Sequence, residues 1–259
     1  MKPAWPASSY LVNDRYRFVY CPIPKVASSS LKQWFLTTLG FEPGQTNWPE
    51  RPHEYLAQWL QRRKEEIPDD YFTFAFVRDP RRRLVSAFLQ KFVVRWDVPE
   101  SPAWPVVHDI CTSMRRPVDY AQGVSFRSFV KYVVSRQPME LDVHWRPQHL
   151  FLDQAKAVDF VGRVESFDAD MLMLTRRLSL AYTESFRSLQ LPYSTTVMEG
   201  AADMTAGQLR RLSAFPVWPS FYDDELLAAA SDYYAIDDRR FGYSPTGLGC
   251  IRQEAALSC

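Results

Sequence analysis

The sequence predicts an α/β fold with a central parallel sheet flanked by helices, and three observations carry that prediction. Two short runs, Arg17 to Cys21 and Tyr71 to Arg78, are dense in aromatic and apolar residues without strict alternation, as in parallel strands buried on both faces. Each run is followed by a turn signal and then by apolar residues at helical spacing. Strands separated by helices imply βαβ units, whose ligands sit at the carboxyl ends of the strands. A length of 259 residues suits one large domain spanning residues 1–259.

In chain order, residues 1–15 mix prolines, serines and charges and read as an irregular lead-in. Arg17 to Cys21 is the first strand; Pro22 and Pro24 then stop pairing and stiffen the loop. Ser28 or Ser29 caps the following helix, which carries Leu31, Trp34, Phe35 and Leu39 as its apolar stripe and ends at Gly40. Residues 41–52 are turn-rich, and a helix is expected from about His53 to Glu66. Tyr71 to Arg78 is the central strand. Asp79 and Pro80 open the next helix as N-cap and first residue, with Leu84, Val85, Phe88 and Phe92 on one face.

Residues 97–124 form a proline-rich insert with one helical segment. Phe126, Phe129, Val130 and Val133 repeat at amphipathic-helix spacing. Ala157 to Gly162 reads as a third strand, followed by a helix around Met171 to Leu178. The segments TAGQLRRLSAF and DDELLAAASDYY read as two further helices, and residues 244–259 as a flexible tail.

With 46% hydrophobic and 24% charged residues the composition is that of a soluble globular protein. A net charge of +1 gives no argument for a nucleic-acid or acidic-membrane partner, although Arg81-Arg82-Arg83 is a local basic cluster. Cys21, Cys111, Cys250 and Cys259 show neither C-x-x-C nor metal-like spacing, as expected of reduced thiols in a cytoplasmic protein. The N-terminus lacks the apolar core of a signal segment, and no run is long enough to span a bilayer. The expectation is a cytoplasmic protein with no membrane partner; oligomeric state is left open.

The chemistry concentrates in Arg17 to Trp34, a strand, a loop with Lys25 and the serines Ser28, Ser29 and Ser30, and a helix. Helix N–H groups, hydroxyl donors and an ammonium together make an anion cradle. It is not a nucleotide-triphosphatase P-loop, because no glycine lies between Arg17 and Leu39. An ordinary capped loop is the competing reading. The second strand ends in FVRDPRRRLVSAF, where Arg78 and Ser86 can converge on a second phosphate, unless Arg78 simply pairs with Asp79. Two such sites on adjacent strands suggest a ligand with phosphate-type groups at both ends.

PKVASSS followed by FVRDPRRRLVSAF resembles the two signature regions of sulfotransferases that use 3′-phosphoadenosine 5′-phosphosulfate. The wording is most similar to the carbohydrate sulfotransferase branch containing the chondroitin and dermatan 4-O- and HNK-1-type enzymes. DVHWRPQHLFL, DFVGRVESFDAD and YYAIDDRRFGY extend the resemblance over nearly the whole chain. The resemblance implies a P-loop-like three-layer fold. Pro24, Lys25, Val26, Ala27, Ser28, Ser29 and Ser30 would form the 5′-phosphosulfate loop, and Arg78 and Ser86 would hold the 3′-phosphate, with Arg83 as a brace. The sulfonated nucleotide would be the donor and adenosine 3′,5′-bisphosphate the product, with no metal required.

An acceptor hydroxyl must lose a proton, and the chain has four histidines. His53 opens a helix between the two motifs, a position from which related uronyl 2-O-sulfotransferases present their catalytic histidine. His144, in the HW motif, is the second candidate as base or acceptor contact. His149 reads as structural, His108 lies in the insert, and Glu165 reads as a partner of Arg163. Leu31 stands where this branch commonly has Trp. A cysteine usual after HW is replaced near Phe151, and Tyr193 to Met198 lacks the basic residue of related loops.

The acceptor is expected to be a carbohydrate hydroxyl, with a small-molecule or peptide hydroxyl as the alternative. A nucleotide-dependent kinase and a non-catalytic binder of nucleotide or sulfated ligands are alternatives of another class. Trp48, Trp59, Trp96, Trp104 and Trp145 can stack on an acceptor or serve as core. Arg51, Arg95, Arg115 and Arg116 can meet an anionic glycan or be solvated surface.

Overall fold

The structure, a computed structural model, describes residues 10–42, 55–56, 68, 70–98, 101–153, 157–182 and 192–244. Among these the order is β1 (Leu11–Asn13), β2 (Phe18–Cys21), α1 (Ser28–Thr38), β3 (Phe72–Val77) and α2 (Pro80–Phe88). Then come α3 (Ala103–Ser113), α4 (Phe126–Val134), α5 (His149–Leu152), β4 (Phe160–Arg163) and α6 (Phe167–Arg177). The order ends with α7 (Ala206–Leu209), α8 (Asp224–Tyr233) and α9 (Ala235–Phe241). The fold is α/β, with a mostly parallel sheet. Two compact units divide the chain: Met1–Arg78 with Gln148–Gln190, and Asp79–Pro147 with Leu191–Cys259.

The first unit holds the sheet, in the order β1-β2-β3-β4. β2 runs parallel to β3 with Cys21 opposite Ala75, and β3 parallel to β4 with Val77 opposite Arg163. Alternation along the strands puts Phe18, Tyr20, Phe74 and Phe76 on one face. Trp34 of α1 stacks on Phe18 at 5.6 Å and Tyr20 on Phe74 at 5.2 Å, while Phe167 of α6 meets Phe76 at 5.3 Å. This aromatic layer explains the large ring side chains that both strands carry on that face. At Gly162 on β4 any Cβ would come within 2.6 Å of the Phe76 ring, so the strand needs glycine there.

Two readings of this unit are corrected. Leu11–Asn13, expected within an irregular lead-in, forms an edge strand antiparallel to β2, with Leu11 opposite Tyr20. Three residues are too few to show a periodicity, and β2 supplies the pairing. Neither Ser28 nor Ser29 is the cap of α1. The helix begins at Ser28, and its N-cap is Ala27 in the left-handed region at φ 57°. The other end is as expected: Gly40 adopts φ 89°, Gly40 N donates to Thr37 O and Phe41 N to Leu36 O, closing a Schellman motif. Most of the helix expected from His53 to Glu66, and most of the 244–259 tail, lie outside the described residues.

The second unit has its own core, centred on Phe88, Phe92, Phe126, Phe129, Trp145 and Phe221. Phe92 and Phe129 approach to 4.8 Å, and Trp145 stands edge-on to Phe129 at 5.3 Å. Asp79 caps α2 by accepting from Arg81 N at 2.8 Å and Arg82 N at 3.1 Å, with Pro80 at the first helical position. The helix then widens into a π-helical stretch, Leu89–Val94, instead of continuing as α-helix to Phe92. The 97–124 insert contains α3, and Ser125 caps α4.

TAGQLRRLSAF makes only the single turn α7, closed by a capping box between Thr205 and Gln208, so the longer helix is not formed. DDELLAAASDYY forms α8, capped by Asp223. α9 follows directly and stops at Gly242, at φ 67°. Cys21 and Cys111 are buried free thiols. Among the described residues no helix is long and apolar enough to cross a membrane.

Candidate functional site

β2 and β3 are adjacent, parallel and in register, so the loop after Cys21 and the residue after Val77 leave the same edge of the sheet. That edge carries Pro24 to Ser30 and Arg78. The loop turns sharply without glycine: Lys25 at φ 71° and Ala27 at φ 57° both occupy the left-handed region. Such residues cost of order 1 kcal/mol or more each and are held there by their surroundings. Val26 between them is fully buried and anchors the turn.

Ala27 has no side-chain polar atom, so it gives the first turn of α1 no side-chain cap. The first-turn N–H groups of an α-helix have no partner within the helix, and they carry its positive dipole end. Ser28 and Ser29 are partly exposed there, and Ser30 is buried. Lys32, one turn beyond Ser28, is a further cation of this helix. Burial pushes its ammonium down to about 8. Sequence reasoning passed over it because a lysine at a helical position reads as solvated surface.

Arg78 is placed by a residue that the sequence reading also missed. Gln148, fully buried, accepts from Arg78 N with Oε1 at 3.0 Å and donates from Nε2 to Arg78 O at 2.8 Å. The backbone of Arg78 is thus fixed on both sides, with its side chain projecting from a strand end. His149 follows as the first residue of α5 and is buried, in keeping with a structural role. Arg163, on β4, is exposed, and its N–H donates to Asp170 Oδ2 at 2.6 Å.

The second unit carries Ser86 and His144. Ser86 lies in α2, partly exposed. The arginines beside it are not a solvated cluster. Arg81 and Arg83 are each 1% exposed. Arg81 is gripped by Asp79 at 2.7 Å and Asp238 at 2.6 Å. The Asp79 carboxylate therefore serves Arg81 and the helix cap. Arg83 donates to Val143 O at 3.0 Å and Arg146 O at 2.8 Å, which ties it to the 143–146 segment. Arg82 lies over the Trp218 ring at 5.0 Å.

His144 sits on the segment that Arg83 braces. Its Nδ1 is 2.6 Å from Asp142 Oδ1, which also accepts from His144 N at 3.0 Å. Burial works to raise the Asp142 pKa, but its bonds to His144 and the nearby Lys91 charge hold it below the ordinary carboxylate value. His108 is exposed on α3, 3.7 Å from Asp109. His53 lies outside the described residues, as do Trp48, Arg51 and Trp59. Trp145 is core, at 1% exposure, and Trp96 is stacked against Arg210 at 4.5 Å. Arg95, Arg115 and Arg116 are exposed. Among the described residues no cluster of three or more His, Cys, Asp or Glu is arranged to hold a metal.

Carbohydrate sulfotransferase 14 of Mus musculus is 34% identical over 165 residues, covering 62% of this chain and 44% of the relative. The Homo sapiens protein of the same name gives the same identity and coverage. Carbohydrate sulfotransferase 9 of Homo sapiens is 28% identical over 177 residues, covering 63% of this chain and 39% of the relative. The matched segments thus span less than half the length of these relatives. No solved structure matches. The pattern of the group described as "Sulfotransferase family" matches residues 8–244, a span that includes the cradle, Arg78, Ser86 and His144, and the chain belongs to that family.

Proposed function

We propose that this protein transfers a sulfuryl group from 3′-phosphoadenosine 5′-phosphosulfate to a hydroxyl of a carbohydrate acceptor. The observation that carries the proposal is the glycine-free cradle at the carboxyl end of β2, beside the fixed Arg78 at the end of β3. Pro24 to Ser30 would hold the phosphosulfate end. Arg78, together with Ser86 from the same motif, would hold the 3′-phosphate. The donor, when bound, supplies an activated sulfuryl group on a phosphate leaving group.

The chain's own residues then have defined tasks. Lys25 neutralises charge that builds on the leaving phosphate oxygen, and the first-turn N–H groups of α1 stabilise the non-bridging oxygens. A histidine, His53 or His144, takes the acceptor proton. The carbohydrate acceptor is supported by the names of the relatives.

Two measurements test the reading. Calorimetry should show tight binding of adenosine 3′,5′-bisphosphate without metal and much weaker binding of ATP with magnesium; the reverse order points to a kinase. Labelled donor offered with a panel of desulfated glycans, phenols and tyrosine peptides should add sulfate to a glycan, read as a mass shift. Sulfation of a phenol or peptide alone moves the acceptor class. No transfer by a protein that still binds the nucleotide leaves a binder and removes the enzyme.

A further inference from the structure

An Asp-x-His sequence can be no more than a turn in which the carboxylate accepts a backbone N–H. Here Asp142 Oδ1 takes both the His144 backbone N–H at 3.0 Å and the ring Nδ1 at 2.6 Å. The ring contact is not needed for the turn. A carboxylate on Nδ1 places the ring proton there and makes Nε2 the basic nitrogen.

The surrounding chain fixes the pair from several sides. The buried Arg83 holds the carbonyls of Val143 and Arg146, immediately before and shortly after His144. Tyr234 OH donates to Trp145 O, and the Trp145 indole is packed in the core. Arg146 folds back onto the carbonyls of Leu141 and Met139. The charged groups that face Asp142 include His144, Arg146 and Lys91 of the π-helical stretch; Lys91 in turn feels Arg95. An exposed histidine of no consequence needs none of this bracing.

We propose that Asp142 is a positioning residue that holds His144 as the Nδ1–H tautomer, making His144 Nε2 the acceptor's proton-accepting atom. The proposal rests on the sulfuryl-transfer reading above. In the step, the acceptor O–H bond breaks and its proton passes to Nε2. The oxygen's electron pair forms the new O–S bond, and the S–O bond to the leaving phosphate breaks with its electrons staying on that phosphate. The Asp142 carboxylate then balances the imidazolium.

The test is a long-range proton–nitrogen NMR spectrum of the full chain labelled with 15N-histidine, with His144→Gln assigning the signal. At a pH raised until the ring is neutral, the wild type should show His144 protonated on Nδ1, and Asp142→Ala should lose that preference. In the transfer assay Asp142→Ala should lower kcat by roughly 100-fold with the donor KM unchanged, and Asp142→Glu should recover part of the loss. Should Asp142→Ala fail to fold, Asp142→Asn keeps an oxygen for the turn and takes its place. A neutral wild-type ring protonated on Nε2 alone, or variants within twofold of the wild-type kcat, overturns the assignment. A wild type that transfers no sulfate to any acceptor overturns the reaction itself and the role with it; an active wild type with the wrong tautomer overturns the role alone.

Discussion

Gln148 clasps Arg78 through both ends of one amide, accepting from its N–H at 3.0 Å and donating to its C=O at 2.8 Å. Replacing it removes two partners from the backbone of the residue assigned to the far phosphate. Gln148→Ala is expected to destabilise the protein by about 1–3 kcal/mol and to raise the donor KM more than it lowers kcat. Urea unfolding and donor-saturation curves check both. Unchanged stability together with an unchanged KM would show that the clasp is dispensable.

Arg81 is held between two carboxylates at 1% exposure. Removing it leaves a buried Asp238 and a partly buried Asp79 without the shared guanidinium. Arg81→Met should therefore cost about 3–5 kcal/mol, as expected for a broken buried ion pair. The double variant Arg81→Met/Asp238→Asn should recover part of that loss, because it removes one stranded charge. Denaturant midpoints for the wild type, Arg81→Met, Asp238→Asn and the double variant give the coupling, and strict additivity would contradict a direct pair.

Lys32 gives a pH signature. Its folded-state ammonium is pushed down to about 8 from 10.5 by burial, so between those values the unfolded chain binds more protons than the folded one. Unfolding free energy must then rise with pH across that window, while below it the buried charge weighs against folding in full. Lys32→Met should flatten the rise and be more stable than wild type at pH 7. Urea midpoints at pH 7, 8, 9 and 10 decide it; parallel curves for the two proteins exclude the effect.

Lys25 separates stability from activity. Deleting one fixed transition-state charge should lower kcat by about 10²–10³-fold. At φ 71° the residue also carries left-handed strain, which glycine relieves. Lys25→Gly should thus fold at least as stably as wild type while turning over as slowly as Lys25→Ala. A Lys25→Gly protein with near-normal kcat would remove Lys25 from the chemistry.

Much of the fold was legible because single physical requirements set it. β2 and β3 needed large apolar residues along a buried face, Asp79-Pro80 opened a helix, and Phe126, Phe129, Val130 and Val133 shared one helix face. The illegible parts depend on distant partners. β1 exists because β2 offers it an edge. α9 carries Asp238 buried, which makes sense only once Arg81 is known to point inward. The three consecutive arginines look alike in sequence, yet one is an ion-pair hub, one a brace on two carbonyls and one a lid on Trp218. Ala27 displaced the serines as N-cap because the left-handed turn after Val26 ends one residue earlier than capping preference alone suggests.

The cradle's lack of glycine has a thermodynamic consequence. Lys25 and Ala27 are far more restricted in an unfolded chain than glycines would be, and in the folded protein Val26 is buried between them. The loop's ordering is therefore completed during folding, and an arriving anion meets donors already in position. Selectivity at such a loop comes from shape fixed in advance, so an anion of different size is refused by misfit and not accommodated by rearrangement.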